Sequence, residues 1–162
     1  MSDLRVLFFI FIPQGLATFY IGLAILGLKI SPRKIILYGI LYGFVDYLGK
    51  NIFMQLGLDI LGNIMPLVFQ IIIYRYIFKI RYSVSIVGSL ASLLLQFASV
   101  MASLPVISLV HIDLMGLVKS GEPWNLVYAG NLNALPLYLL CLFQVFKPFS
   151  MIDFSKKKGT FI

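Results

Sequence analysis

Five apolar runs, at residues 4–28, 35–54, 60–78, 84–110 and 125–146, fill most of the 162 positions. Each is close to the roughly 20 residues that an α-helix needs to cross a hydrocarbon layer about 30 Å thick. The runs are continuously apolar and lack the period-two alternation of barrel strands, which argues against a β-barrel. The expected fold is therefore all-α, a polytopic transmembrane helix bundle of about five spans. Residues 1–148 form its membrane domain and 149–162 a short basic cytoplasmic tail. Composition agrees: the chain is 60% hydrophobic, only 12% charged, and has a mean hydropathy of +0.99. Soluble domains average about half apolar and a quarter charged.

The charges set an orientation. Lys29, Arg33 and Lys34 follow the first run, and Arg75, Lys79 and Arg81 flank the end of the third. Lys147, Lys156, Lys157 and Lys158 follow the fifth, which makes ten cations on one side against Arg5, Lys50 and Lys119 on the other. Five of the six acids, Asp3, Asp46, Asp59, Asp113 and Glu122, fall at or near that second side. Under the positive-inside rule the N-terminus is outside and the C-terminus in the cytoplasm of a multi-pass cell-membrane protein. The net charge of +7 is thus topological, and no nucleic-acid surface is expected. Phe146, Phe149, Met151, Ile152 and Phe154, with the three tail lysines, could also anchor the C-terminus at the bilayer surface.

The start of the chain carries Asp3 and Arg5 in place of a basic n-region, and its apolar run is too long for a signal-peptide core. It reads as a retained first helix. The second run is interrupted by Asp46, Lys50 and Asn51, so it is either a full tilted span or a shorter helix with an interfacial piece. Residues 104–124, with Pro105, Gly121 and Pro123, read as a long outer connection with a short amphipathic stretch. Trp124 then stands where aromatic belts place tryptophan.

Catalytic patterns fail one by one. The lone His111 and lone Cys141 are assigned to different membrane depths, beyond the reach a nucleophile and its base need. One cysteine allows neither an internal disulfide nor a Cys-based metal framework. Metalloprotease, nucleophile-elbow and phosphate-loop motifs are missing. The chain is expected to be no enzyme and to need no cofactor or metal.

Depth of the polar residues is more informative. Gln14, Asp46, Lys50, Asn51, Asn63, Gln70, Ser99, Ser103, Asn131 and Asn133 all fall in middle or outer halves of their runs, whereas the inner halves hold little beyond tyrosine hydroxyls. Pro13, Pro66 and Pro105 lie outward too, with Pro136 near the middle of its run. Each proline frees a carbonyl that a neighbour must satisfy. An outward-facing ligand cavity built from Gln14, Asp46, Lys50, Asn63, Asn131 and Asn133 follows as the functional reading, and plain interhelical hydrogen bonding as the structural one. Asp46 and Lys50 stand four apart on one helical face, as an interfacial ion pair or as the polar wall of a site. Gly39 and Gly43 leave a groove for a close helix, either within the chain or as a homodimer seam.

The stretch Ile12-Pro13-Gln14-Gly15-Leu16, continuing through Tyr20-Ile21-Gly22-Leu23-Ala24-Ile25-Leu26-Gly27-Leu28-Lys29, resembles the first helix of small Firmicutes membrane proteins. The same region occurs as the N-terminal membrane sensor part of accessory-gene-regulator-type sensor histidine kinases. The resemblance extends to the glycine turn Gln55-Leu56-Gly57-Leu58-Asp59-Ile60-Leu61 and spans roughly residues 12–147. Asp59 stands near where that family often has histidine. What the resemblance implies is a bacterial sensory module in the lipid bilayer that signals to a membrane or cytoplasmic protein. Roughly fifteen residues after Lys147 cannot hold a kinase domain, since domains need at least about 50. Signalling would pass through a separate protein, or the chain is part of a larger one. A substrate-binding subunit of a transporter and a membrane scaffold are the competing readings.

Overall fold

The computed structural model describes residues 3–28 and 31–148. The expected basic tail, 149–162, lies outside the described residues, as does Lys29. The described chain is helical throughout, with no strand among the described residues. Helix α1 runs Leu4–Ile25, α2 Pro32–Gln55, and α3 Asp59–Ile72 with a π-helical continuation Ile73–Ile77. Then come α4, Tyr82–Leu109, the short α5, Leu114–Lys119, and α6, Pro123–Phe146.

Local chemistry explains the boundaries. Asp3 caps α1 by accepting from the Arg5 N–H at 2.8 Å, and its carboxylate pairs with the Arg5 guanidinium at 2.7 Å. That hydrogen-bonded guanidinium holds the Asp3 carboxyl below the ordinary aspartate range. At the far end of α1, Gly27 takes a positive φ of 66° while Leu28 N–H bonds Leu23 C=O and Gly27 N–H bonds Ala24 C=O. This pair is the Schellman stop, which a residue without Cβ enters cheaply. Gly57 ends α2 in the same way, with φ 69° and Leu58 N–H on Phe53 C=O. Asp113 caps α5 through Gly116 N–H at 2.9 Å, and Pro123 opens α6 where its missing N–H costs nothing.

Helix α1 is the centre of the bundle. Phe19, Ile21, Leu23, Ile25 and Leu26 are fully enclosed. Helices α2, α4 and α6 pack around it, and α3 closes the ring between α2 and α4. The outer helices turn large apolar side chains outward, as Ile60, Ile64, Val68 and Ile72 do along α3, while Gln70 on the same helix is buried. Apolar outside with selected polar groups inside is the arrangement that lipid demands.

Four helices, α1, α3, α4 and α6, are long and apolar enough to cross a membrane. Helix α2 is one continuous helix of 24 residues, about 36 Å at 1.5 Å per residue, so it is long enough as well. It is less apolar, because Arg33, Lys34, Asp46, Lys50 and Asn51 belong to it.

Gly39 and Gly43 are occupied within the chain. A Cβ on Gly43 would run into the backbone of Phe11 and Ile12, and one on Gly39 into Leu16, so both glycines serve the close approach of α2 to α1. Gly15 completes that seam from the α1 side, where a Cβ would lie 2.6 Å from the Gly43 nitrogen.

Candidate functional site: a polar cavity at the N-terminal end of the bundle

The prolines expose backbone groups, and the polar side chains find them. In a regular helix Pro13 would face the Phe9 carbonyl. Pro13 has no N–H to offer, and residues Leu7–Phe11 just before it widen into a π turn. The free Phe9 carbonyl accepts from Asn131 Nδ2 at 2.9 Å. Near Pro136, the Ser99 hydroxyl accepts from Leu137 N–H at 3.0 Å and donates to Asn133 C=O at 3.2 Å. Those two groups would otherwise pair with each other, so a side chain of α4 is inserted in the helical ladder of α6.

Between the helices lies a cavity of about 450 Å³ at the end of the bundle that carries the N-terminus. All six helices contribute to its wall. Its polar members are Gln14 of α1, Tyr42, Asp46 and Lys50 of α2, Asn63 of α3, Gln96 of α4 and Asn133 of α6. Ile10, Phe11, Leu93, Phe97 and Leu126 supply most of the apolar surface. The volume falls within the roughly 300–1,000 Å³ typical of small-molecule sites, and an apolar wall with a few convergent polar groups is their usual composition.

The structure thus brings Gln14, Asp46, Lys50, Asn63 and Asn133 to one cavity. Asn131 stands apart. Its amide donates to Phe9 C=O and Val127 C=O, and its oxygen accepts from the Tyr138 hydroxyl at 3.0 Å, so it acts as an internal brace. Gln14 donates to Gly130 C=O at 3.1 Å, and Asn133 accepts from Ser103 at 3.2 Å. Lys50 Nζ donates to Asp46 Oδ2 at 3.1 Å and stands 5.1 Å from the centre of the Phe11 ring, a cation–π arrangement. The Asp46 side chain is 6% exposed and that of Lys50 27%, so the acid is the inner partner and the base the outer one.

Below the cavity the bundle is closed. Tyr42 belongs to a buried cluster with Phe19, Leu23, Leu26, Ile73 and Tyr74. Phe19 and Tyr74 meet edge to face at 5.4 Å, and the Phe78 ring lies tilted against both. Gln70 ties this layer together by donating to Tyr74 Oη at 2.8 Å and to Ser92 Oγ at 3.2 Å. Gly22 makes room for the trio, since a Cβ there would collide with all three polar groups.

Gln96 and Tyr42 were not among the residues expected at the site, and neither was the Gln70–Tyr74–Ser92 trio. A usable signal existed for α4: Ser85, Ser89, Ser92, Ser99 and Ser103 recur at helical spacing, and all five are buried. His111 is exposed beyond α4, and Cys141 donates to Ala17 C=O at 3.5 Å on α1. Compared with known protein families, curated proteins and solved structures, the chain matches none.

Proposed function

We propose that this chain is a non-enzymatic sensory or regulatory protein of a bacterial cell membrane. In this reading it binds a small apolar molecule or peptide from the outer side and passes occupancy to a separate membrane or cytoplasmic partner. The observation that carries it is the cavity, in which five side chains from α1, α2, α3 and α6 converge within an otherwise apolar wall. The resemblance to membrane sensor regions points the same way. A substrate-binding transporter subunit would use a similar pocket. Sensing is favoured by the floor: Phe19, Tyr42 and Tyr74 are buried against one another and block a path onward.

The orientation belongs to the same proposal. Helix α2 is taken as a fifth crossing, because Tyr38 near its start meets Phe78 while Gly49 near its end meets Gly62. Single cysteines at Ser31 and Ser83 in a Cys141→Ser background should resist an impermeant thiol reagent in intact cells, and one at Ser120 should react. Reaction at Ser31 or Ser83 with protection at Ser120 would invert the topology.

The cavity itself is tested by two amides two residues apart. Interhelical hydrogen bonds in membranes average about 0.6 kcal/mol, so neither Asn133→Leu nor Asn131→Leu should abolish folding. Native mass spectrometry of the purified protein should show a copurifying small molecule that Asn133→Leu loses. Asn131→Leu should keep it and instead melt several degrees lower, because Phe9 C=O loses its donor. Equal retention in both variants would leave the scaffold reading in front.

A further inference from the structure

Tyr42, Asp46 and Lys50 follow one another at intervals of four along α2, so they form a polar stripe on one helical face. All three line the cavity, from the nearly buried Tyr42, 3% exposed, to the half-open Lys50. Lys50 occupies only Oδ2 of Asp46. Among the described residues, neither Asp46 Oδ1 nor the Tyr42 hydroxyl takes part in a hydrogen bond, and neither atom is sealed off by protein. Two buried polar groups, one turn apart, therefore present unused capacity to the cavity. An occupant with a matching donor and acceptor can take up that capacity, whereas a purely apolar one would leave both groups without a partner.

Charge decides the class of occupant. Among the described residues of the wall, Asp46 supplies the one carboxylate and Lys50 the one ammonium, and they pair at 3.1 Å. A ligand with a net charge would bring an uncompensated charge into an apolar enclosure, which is costly. Resting on the sensing reading above, we infer that the cavity takes an uncharged amphiphile. Its hydroxyl or amide head donates to Asp46 Oδ1 and meets the Tyr42 hydroxyl, and its apolar part lies along Ile10 and Phe97. The cavity volume of about 450 Å³ is roughly fifteen times water's share of liquid volume, enough for a head and a short chain.

The test uses three probes of equal chain length: 1-monooctanoylglycerol, octanoate and octylammonium, each below its critical micelle concentration. The full chain is held in phosphatidylcholine nanodiscs, and thermal stability is followed against probe concentration. The glyceride should raise the melting temperature saturably, with the two ions at least tenfold weaker. Tyr42→Phe, which keeps the ring, and Asp46→Asn should each weaken the glyceride tenfold or more. Octanoate or octylammonium binding as well as the glyceride, or unchanged affinity in Tyr42→Phe, would overturn the neutral-amphiphile assignment and leave the sensing reading intact. Absence of saturable binding by any probe also overturns it. The sensing reading falls separately, if the purified protein retains no small molecule that Asn133→Leu releases.

Discussion

Gly43→Val should lower the stability of the folded bundle by about 3 kcal/mol, the upper end of what overpacking costs in a tight interior. The first atom beyond Cα at this position would lie 2.8 Å from the Phe11 carbonyl carbon and 2.9 Å from the Ile12 Cα. Both are backbone, so no side chain can swing aside. Relief requires α1 to move off α2, and α1 is the helix around which α2, α4 and α6 pack. Gly88→Ala provides the contrast, because the three atoms nearest its Cβ all belong to the Leu26 side chain and none to backbone. Unfolding in mixed detergent micelles should therefore separate the two variants by at least 1–2 kcal/mol, in line with the spread between rigid and yielding sites. If Gly43→Val is instead as stable as the parent but changes its oligomeric state, the glycine seam belongs between copies of the chain.

Depth along the membrane normal is legible in this sequence, and azimuth around each helix is much less so. Polar residues are costly in lipid, so their positions along apolar runs report a real physical constraint, and Gln14, Asp46, Lys50, Asn63 and Asn133 do share one cavity. Asn131 has the same depth, yet it stands two residues from Asn133. At 3.6 residues per turn that is roughly 200° around the helix, so the two amides point to nearly opposite sides. Helical geometry alone separates them, and the Phe9 carbonyl freed by Pro13 explains what Asn131 does. Tyr42 was equally within reach, being one turn from Asp46 on the same face, but tyrosine at that depth is easily taken for lipid-facing aromatic surface.

The less legible features depend on partners far apart in the chain. Ser99 repairs a ladder broken at Pro136, across 38 residues between donor and acceptor. Gln70 and Ser92 meet across 22 residues, in a space that exists only because residue 22 is glycine. Each of these residues is unremarkable in its own segment. Helix α2 is the opposite case: its continuity through Asp46, Lys50 and Asn51 follows from one enclosed ion pair and the Asn51 amide on Tyr47 C=O at 3.0 Å, both local and both four apart. Beside this run Gly49 approaches Gly62 closely, which keeps the end of α2 packed against α3.

Lys50→Met should destabilise the protein by about 3 kcal/mol, far more than Asp46→Asn, because removing one partner of a buried pair leaves the other charge uncompensated. The two members are not equally enclosed. Asp46 is 4% exposed and has Lys50 as its one hydrogen-bond partner among the described residues, so without Lys50 its carboxylate faces an apolar-walled cavity with no countercharge. Lys50 is 27% exposed along its side chain and already leans on the Phe11 ring, so without Asp46 its ammonium can turn outward toward water. Asp46→Asn should accordingly cost about 1 kcal/mol, the worth of an ordinary hydrogen bond. The double variant Asp46→Asn/Lys50→Met should recover most of the Lys50→Met loss, since no buried charge remains to be compensated. Unfolding free energies of the three variants in one detergent mixture measure this directly. Equal losses in the two single variants would mean that Lys50 is as confined as Asp46. Strict additivity in the double would mean that the pair is uncoupled, and the electrical neutrality that selects an uncharged occupant would lose its basis.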